Sequence, residues 1–211
     1  MKRFILSLAL IGAASVFASA QTDYNKGEFF IGYSHGQVDS GIDSGDSVNS
    51  FFRDRIGFNG VEVAGVYNVS RYVGIKGDIS ATYKSTQFSF PVGAQTVTVD
   101  TKNSLYNFLG GVQLKDNAST GRVKPFAHAL VGAGHGRTKV NSVTCTSTPT
   151  FDCSDIDTVS DTGLAGAFGG GIDVRINDRV DFRAFQVDYN PIKFENTTDH
   201  NVRFSIGFVI K

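Results

Sequence analysis

Residues 201–211 read NVRFSIGFVIK, and this stretch decides how the chain folds. Every second position from Val202 to Ile210 is apolar, while the positions between them are polar or small, with Val209 as the exception. A period of two is typical of a β-strand with one apolar face. A tilted strand needs about 9 to 11 residues to cross a bilayer, so this stretch is long enough to span one.

Similar alternating segments recur from residue 28 onward. The pattern predicts eight strands, at 28–37, 58–69, 72–88, 98–115, 122–139, 161–176, 180–189 and 201–211. The phase of the polar residues changes between Arg183 and Gln186, which indicates a β-bulge near Phe185. The predicted fold is all-β, an eight-stranded antiparallel up-and-down transmembrane β-barrel.

The connections between these segments alternate in length. Long connections are predicted at 38–57, 89–97, 140–160 and 190–199, and short turns at 68–71, 116–121 and 177–179. Outer-membrane barrels have long outer loops and short periplasmic turns, whereas a lipocalin-like soluble barrel has less reason for this regularity. The alternation therefore favours a barrel with lipid on its outside.

The first 20 residues have the layout of a cleaved secretory signal. Basic residues at positions 2 and 3 precede an apolar run over 4–16, and Ala18-Ser19-Ala20 follows. We expect residues 1–20 to be removed and residues 21–211 to form one barrel domain. Removal leaves 18 basic and 20 acidic side chains, a net charge of about −2, which argues against nonspecific nucleic-acid binding.

The chain has two cysteines, Cys145 and Cys153, in a polar segment. Because an exported chain enters an oxidising compartment, a local disulfide is favoured over a metal site, which would want more Cys or His ligands. In the chain-entropy model such a bond restricts the third outer loop by about 2 to 3 kcal/mol. We expect the barrel itself not to depend on it.

Four runs resemble the bacterial outer-membrane β-barrel family that includes the OmpA transmembrane domain. They are FNGVEV at 58–63, NVSRYVGIKGD at 68–78, GGGIDVR at 169–175 and FQVDY at 185–189. The resemblance implies a barrel inserted by the outer-membrane assembly machinery, in contact with outer-membrane lipid and lipopolysaccharide. The family has no single activity. The sequence departs from the family at Ile210-Lys211, where the family usually ends in an aromatic residue, and we expect no peptidoglycan-binding domain after the barrel.

The tight turns predict which charges face each other, because strands that flank such a turn pair at a constant sum of residue numbers. A turn centred on Asp178 places Asp173 opposite Arg183. It also places Arg175 opposite Asp181.

A similar turn centred on Val69 places Glu62 opposite Lys76, and Arg203 lies on the strand beside Arg183. Charges inside a narrow barrel are costly unless they are paired. The predicted interior ion network comprises Glu62, Lys76, Asp173, Arg175, Asp181, Arg183 and Arg203. A structural brace is favoured over a gate or selectivity filter, because eight strands leave an interior that side chains can fill.

Four histidines raise the alternative of a lipid-modifying enzyme: His35, His128, His135 and His200. A catalytic His needs a nucleophile and an orienting carboxylate within reach, and no spacing here resembles such motifs. Gly169 to Gly171 lies within a strand and lacks the Lys-Ser/Thr of a phosphate loop. We predict no catalytic residue and no cofactor.

Acidic residues in two predicted loops raise the question of cation binding: Asp39, Asp43 and Asp46, then Asp152, Asp155 and Asp157. They do not match the regular calcium-loop pattern, and such clusters are usual in solvated loops, so no metal site is predicted. We expect a monomeric outer-membrane protein with a structural or surface-interaction role through its loops. A narrow pore and a lipid-modifying enzyme are the alternatives.

Overall fold

The computed structural model describes residues 24–39, 55–92, 95–145, 158–195 and 197–211. These residues form eight antiparallel strands in one closed barrel, which confirms the predicted fold class. The strands are β1 (Gly27–Asp39), β2 (Arg55–Asn68), β3 (Val73–Val92), β4 (Gln95–Lys115), β5 (Val123–Cys145), β6 (Val159–Arg175), β7 (Val180–Lys193) and β8 (Thr198–Ile210). The signal segment, Cys153 and five of the six acidic loop residues lie outside the described residues, and so does the side chain of Cys145. The sixth, Asp39, is the last residue of β1 and pairs with Arg55.

Each strand pairs with the next, and β8 closes the barrel on β1. Phe29 pairs with Ile210 at one end of this seam and Gln37 with Val202 at the other. Closure leaves no sheet edge at bilayer depth, where unpaired backbone groups would be costly. Along β8 the alternation is as predicted, because Arg203 is buried and Phe208 is 49% exposed.

An apolar belt covers the outside of the barrel. Its exposed side chains include Ile31, Val61, Ile75, Ile79, Phe108, Val112, Val131, Leu164, Phe168, Phe204, Ile206, Phe208 and Ile210. Such a belt, with polar residues inside, is the inverse of a soluble barrel. Among the described residues there is no helix long and apolar enough to cross a membrane.

The strands at the loop end are longer than the sequence predicts. β3 and β4 stay paired up to Val92 and Gln95, so most of the predicted loop at 89–97 is strand. β7 and β8 likewise stay paired up to Lys193 and Thr198. Backbone pairing between these strands continues in water beyond the lipid. Pro91 has no N–H to donate, but it is tolerated because β3 has no β2 partner beyond Tyr83. The alternation of long and short connections therefore fails at 89–97 and 190–199.

The bulge on β7 is confirmed. Ile172 pairs with Phe185 and the next residue of β6, Asp173, pairs with Arg183, so Ala184 is left without a partner. The same interruption separates Arg183 from Gln186 against β8. The bulge brings Arg183 and Gln186 onto the same inner face, where both are buried.

The turn between β2 and β3 lies two residues later than predicted. Val69 donates its backbone N–H to the Val73 carbonyl at 2.9 Å, and the intervening residues form the turn. Glu62 consequently pairs with Ser80 and not with Lys76, so this predicted register is wrong. The hydrophobic pattern did not place the turn because Val69 and Tyr72 are apolar residues that suit either a strand or a turn.

Candidate functional site

Charged side chains fill the half of the barrel interior that adjoins the short turns. This set, the ion cluster, contains Glu28, Glu62, Lys76, Asp78, Lys115, Lys124, His128, Asp173, Asp181, Arg183, Asp188, Arg203 and Lys211. Its six carboxylates face six Lys and Arg side chains, so the cluster is balanced in charge when His128 is neutral. Buried charge is tolerated only with such pairing.

Arg183 lies at the centre of the ion cluster. Its guanidinium donates to both carboxylate oxygens of Asp173, at 2.8 and 3.2 Å, and to the Gln186 side-chain oxygen at 2.7 Å. Its Cζ atom lies over two rings, 4.4 Å from the centroid of Phe30 and 4.0 Å from that of Phe126. Hydrogen bonds and two aromatic rings together stabilise this buried cation.

Small residues on β6 make room for this arrangement. A Cβ atom at Gly171 would lie 3.0 Å from Cζ of Phe126, closer than van der Waals contact allows. Gly169 and Gly171 therefore serve close packing inside the barrel, within a strand.

Arg203 organises the part of the ion cluster nearer the barrel middle. Its guanidinium contacts Asp188 at 2.7 Å and Asp78 at 2.8 Å, and it lies 3.6 Å from Glu62. Lys76 lies 3.4 Å from Asp78 and 3.9 Å from Glu62. These contacts join β2, β3, β7 and β8 across the lumen.

The end of the lumen next to the short turns is closed by lysines. Nζ of Lys115 on β4 lies 2.9 Å from Glu28 on β1 and 2.8 Å from Asp173 on β6. Asp181 receives Lys211 at 2.5 Å and Lys124 at 3.4 Å. Lys211 thus has a buried partner.

The structure brings six of the seven predicted network residues into the lumen. The exception is Arg175, which pairs in register with Asp181 as predicted but does not bind it. Its guanidinium contacts the exposed Asp178 and donates to the Thr120 carbonyl at 2.9 Å. At the last position of β6 the side chain reaches water, where a surface partner costs less than a buried one.

Other members of the ion cluster were missed in the sequence. Asp188 does not follow the polar alternation of the first half of β7. The bulge at Ala184 shifts that alternation by one residue, so the side chain of Asp188 points into the lumen. Asp78 lies on the same strand face as Lys76, so alternation alone could have identified it. Lys115 and Lys124 lie at strand ends beside a turn, where sequence gives no sign that a side chain reaches the lumen.

Apolar side chains fill the interior half nearer the long connections. Phe58, Leu105, Leu109, Leu130, Ala165, Ala167 and Ile192 form this apolar plug, with Val38, Ile56 and Phe194 packed against it. Above it lies a vestibule of about 410 Å³ with an apolar floor that includes Phe58, Leu105 and Phe194. Polar residues such as Asn103 and Asp161 line its sides.

The four histidines lie apart from one another. His128 is in the ion cluster, with Nε2 2.8 Å from Asp188 and Nδ1 3.4 Å from Lys76 Nζ. The other three are paired on the barrel wall, namely His35 with Asn59 and Gln37, His135 with Thr162, and His200 with Tyr189. No serine hydroxyl contacts any of them within the described ranges.

One exposed ion pair joins two short turns. Arg71 donates to both carboxylate oxygens of Asp116, at 2.9 and 3.0 Å. These hydrogen bonds hold the pKa of Asp116 below its usual range, and the same contact raises the pKa of Arg71.

The family model described as the outer membrane protein beta-barrel domain matches residues 6–211. The chain belongs to this family. Its members are integral proteins of the bacterial outer membrane, so the belt faces lipid and the short turns face the periplasm. Among curated protein sequences, none matches this chain significantly.

Solved structures of other outer-membrane barrels are similar to this chain, and the likeness to Ail shows a common fold. Ail of Yersinia pestis, crystallised with the heparin analogue sucrose octasulfate, is 18% identical with a TM-score of 0.56 over 88% of this chain and 98% of that one. OprG of Pseudomonas aeruginosa is 15% identical with a TM-score of 0.48 over 90% and 98%. Neisserial surface protein A is 13% identical with a TM-score of 0.48 over 88% and 96%.

Proposed function

We propose that this protein is a closed outer-membrane barrel with a structural or surface-interaction role carried by its loop end. The observation that carries the proposal is the filled interior. The ion cluster and the apolar plug lie one above the other in the lumen. An eight-stranded barrel has room for side chains but not for a wide aqueous channel as well.

The loop end offers the material for surface contacts. β3, β4 and β5 have 20, 21 and 23 residues, about twice what a strand needs to cross the bilayer. Two long connections, 40–54 and 146–158, also leave the barrel at this end. Ail is named for attachment and invasion in the description of its structure. We extend only the surface location to this chain, because the likeness to Ail is one of fold.

Planar-bilayer recording tests the closed barrel. We expect the wild-type protein to show little or no conductance, because both halves of the lumen are filled. The double variant Asp173→Ala, Arg183→Ala removes the central pair and is expected to conduct more than the wild type. A large, steady wild-type conductance would replace this proposal with the narrow-pore alternative.

A comparison of a deletion strain with its parent tests the role itself. We expect the strain to lose a surface phenotype, such as adhesion or aggregation, and to keep the parent's lipid A masses. The deletion strain can then be complemented with a variant in which a Gly-Ser linker replaces residues 147–157. We expect this variant to assemble as a barrel in the outer membrane and not to restore the surface phenotype. A change in lipid A masses that wild-type complementation reverses would favour the lipid-modifying enzyme instead.

A further inference from the structure

Two carboxylates hold the amine of Lys115 at the periplasmic end of the ion cluster. Its Nζ atom lies 2.9 Å from both carboxylate oxygens of Glu28 and 2.8 Å from Oδ2 of Asp173. The three side chains come from β4, β1 and β6, and each is at most 4% exposed. We call Lys115, Asp173 and Glu28 the buried triad.

The buried triad differs from the other lysine contacts in the ion cluster. Lys76 also has two carboxylates nearby, but they lie 3.4 and 3.9 Å from its amine. Lys124 and Lys211 share one carboxylate, that of Asp181. Of these lysines, and within the described part of the chain, Lys115 alone has two carboxylates at hydrogen-bond distance. One of them can react with the amine while the other takes its proton.

The surroundings of the buried triad favour condensation of the amine with a carboxyl group. Burial makes separated charges costly, so the neutral amine and carboxylic acid lie closer in free energy to the ion pair than they do in water. The fold holds the two groups in contact, which removes the entropy cost of a bimolecular encounter. Exclusion of water protects the amide product from hydrolysis.

We propose that Lys115 and Asp173 form an intramolecular amide, an isopeptide bond, in the folded barrel. Glu28 takes a proton from the Lys115 ammonium, and the free Nζ attacks Cγ of Asp173. Arg183 donates to Oδ1 of Asp173 at 2.8 Å, the oxygen on which negative charge develops during the attack.

The reaction is balanced without any further reactant. Two of the three ammonium protons pass through Glu28 to Oδ2 of Asp173, which leaves as water when its bond to Cγ breaks. Glu28 is regenerated. One cation and one carboxylate disappear together, so the ion cluster stays balanced in charge. The bond ties β4 to β6 through the lumen, and the inference is independent of the proposed surface role.

Intact-mass spectrometry of protein purified from outer membranes tests the bond. We expect the folded wild type to weigh one water molecule less than its sequence requires, and Lys115→Arg to have its full sequence mass. Glu28→Gln keeps the size of the side chain but cannot carry the proton, so it should also keep its full mass. The matched control is Lys124→Arg, which replaces a buried lysine outside the triad and should still lose one water.

Tryptic digestion locates the bond in the wild type alone, so this readout does not depend on whether a variant folds. We expect a branched peptide that joins residues 103–122 to residues 140–175, because trypsin does not cleave after an acylated lysine. Full sequence mass in the folded wild type, or an equal loss of water in Lys115→Arg, would overturn the proposal. Equal condensation in Glu28→Gln would overturn the role of Glu28 as proton carrier.

Discussion

The two halves of the barrel interior exclude water by different physical means. In the ion cluster, each charge is stable only because named partners surround it, as Asp173 and Gln186 surround Arg183. In the apolar plug, Leu130 and Ile192 are equally buried, at 1% exposure each, and gain stability from burial itself. The stability of the ion cluster depends on specific charged partners, whereas that of the apolar plug depends on how much apolar side-chain volume fills the lumen.

This difference predicts how mutations combine. Loss of one partner in the ion cluster leaves an uncompensated charge, so effects there should be strongly coupled. Loss of an apolar side chain leaves a cavity whose cost depends on local relaxation.

The largest effect is expected for Asp173→Ala in the ion cluster. It removes the partner of both Arg183 and Lys115, so we expect a loss of about 3 to 5 kcal/mol in the free energy of unfolding. Urea unfolding in lipid vesicles measures it. Adding Arg183→Ala should cost less than the sum of the single changes, and Asp178→Ala on the surface should cost no more than about 0.5 kcal/mol. Additive losses at Asp173 and Arg183 would reject the pair.

Leu130→Ala tests the apolar plug. We expect a loss of about 2 to 4 kcal/mol in the free energy of unfolding, because the side chain is buried and its removal leaves a cavity in the apolar plug. Leu130 pairs with Ala167, six residues from Asp173 along β6, a separation of about 20 Å. The effects of Leu130→Ala and Asp173→Ala should therefore add within about 0.5 kcal/mol. Strong coupling between them would show that the two halves form one unit.

Lys211→Gln weakens the ion cluster at its periplasmic end. Asp181 keeps Lys124 at 3.4 Å but loses the closer Lys211, so we expect a loss of about 1 to 2 kcal/mol in unfolding free energy. From the family pattern alone, Lys211→Phe is expected to raise the folded yield. Yield after assembly and unfolding free energy should be measured separately, because the contact with Asp181 predicts that Lys211→Phe lowers the second. An unchanged unfolding free energy in both variants would show that Lys124 alone is enough to balance the charge of Asp181.

The smallest effect is expected at the exposed pair of Arg71 and Asp116, outside the lumen. The pKa of Asp116 is lowered in the folded state, so the pair contributes stability above the unfolded pKa of about 3.9 and loses it as the pH falls below that value. Asp116→Asn should therefore reduce stability slightly at pH 7 and not at pH 2. Unfolding midpoints of variant and wild type at both pH values measure the difference. An Asp116→Asn effect as large as that of Asp173→Ala would contradict the contrast between surface and interior.

The cysteine prediction stands apart from this contrast. We expect Cys145 and Cys153 to form a disulfide, which intact-mass analysis after alkylation, with and without reductant, detects. Two free thiols in protein folded in the periplasm would refute it. The barrel should fold in either case.

The sequence by itself determined the barrel, the apolar face of β8 and the register at the turn centred on Asp178. Strict alternation fixes which face of a strand is apolar, and a three-residue turn leaves little choice in how the flanking strands pair. The same reasoning placed the bulge on β7, because a change of phase is visible in the residue types themselves. It erred at Val69–Tyr72, where apolar residues fill the turn and hide its centre.

Only the tertiary structure decided which charges meet across the lumen and where the filling changes from ionic to apolar. Lys115 reaches Glu28 and Asp173 on strands that are far away in sequence, and no turn relates them. Closure sets these contacts, because the curvature of eight strands brings opposite walls within reach of a side chain.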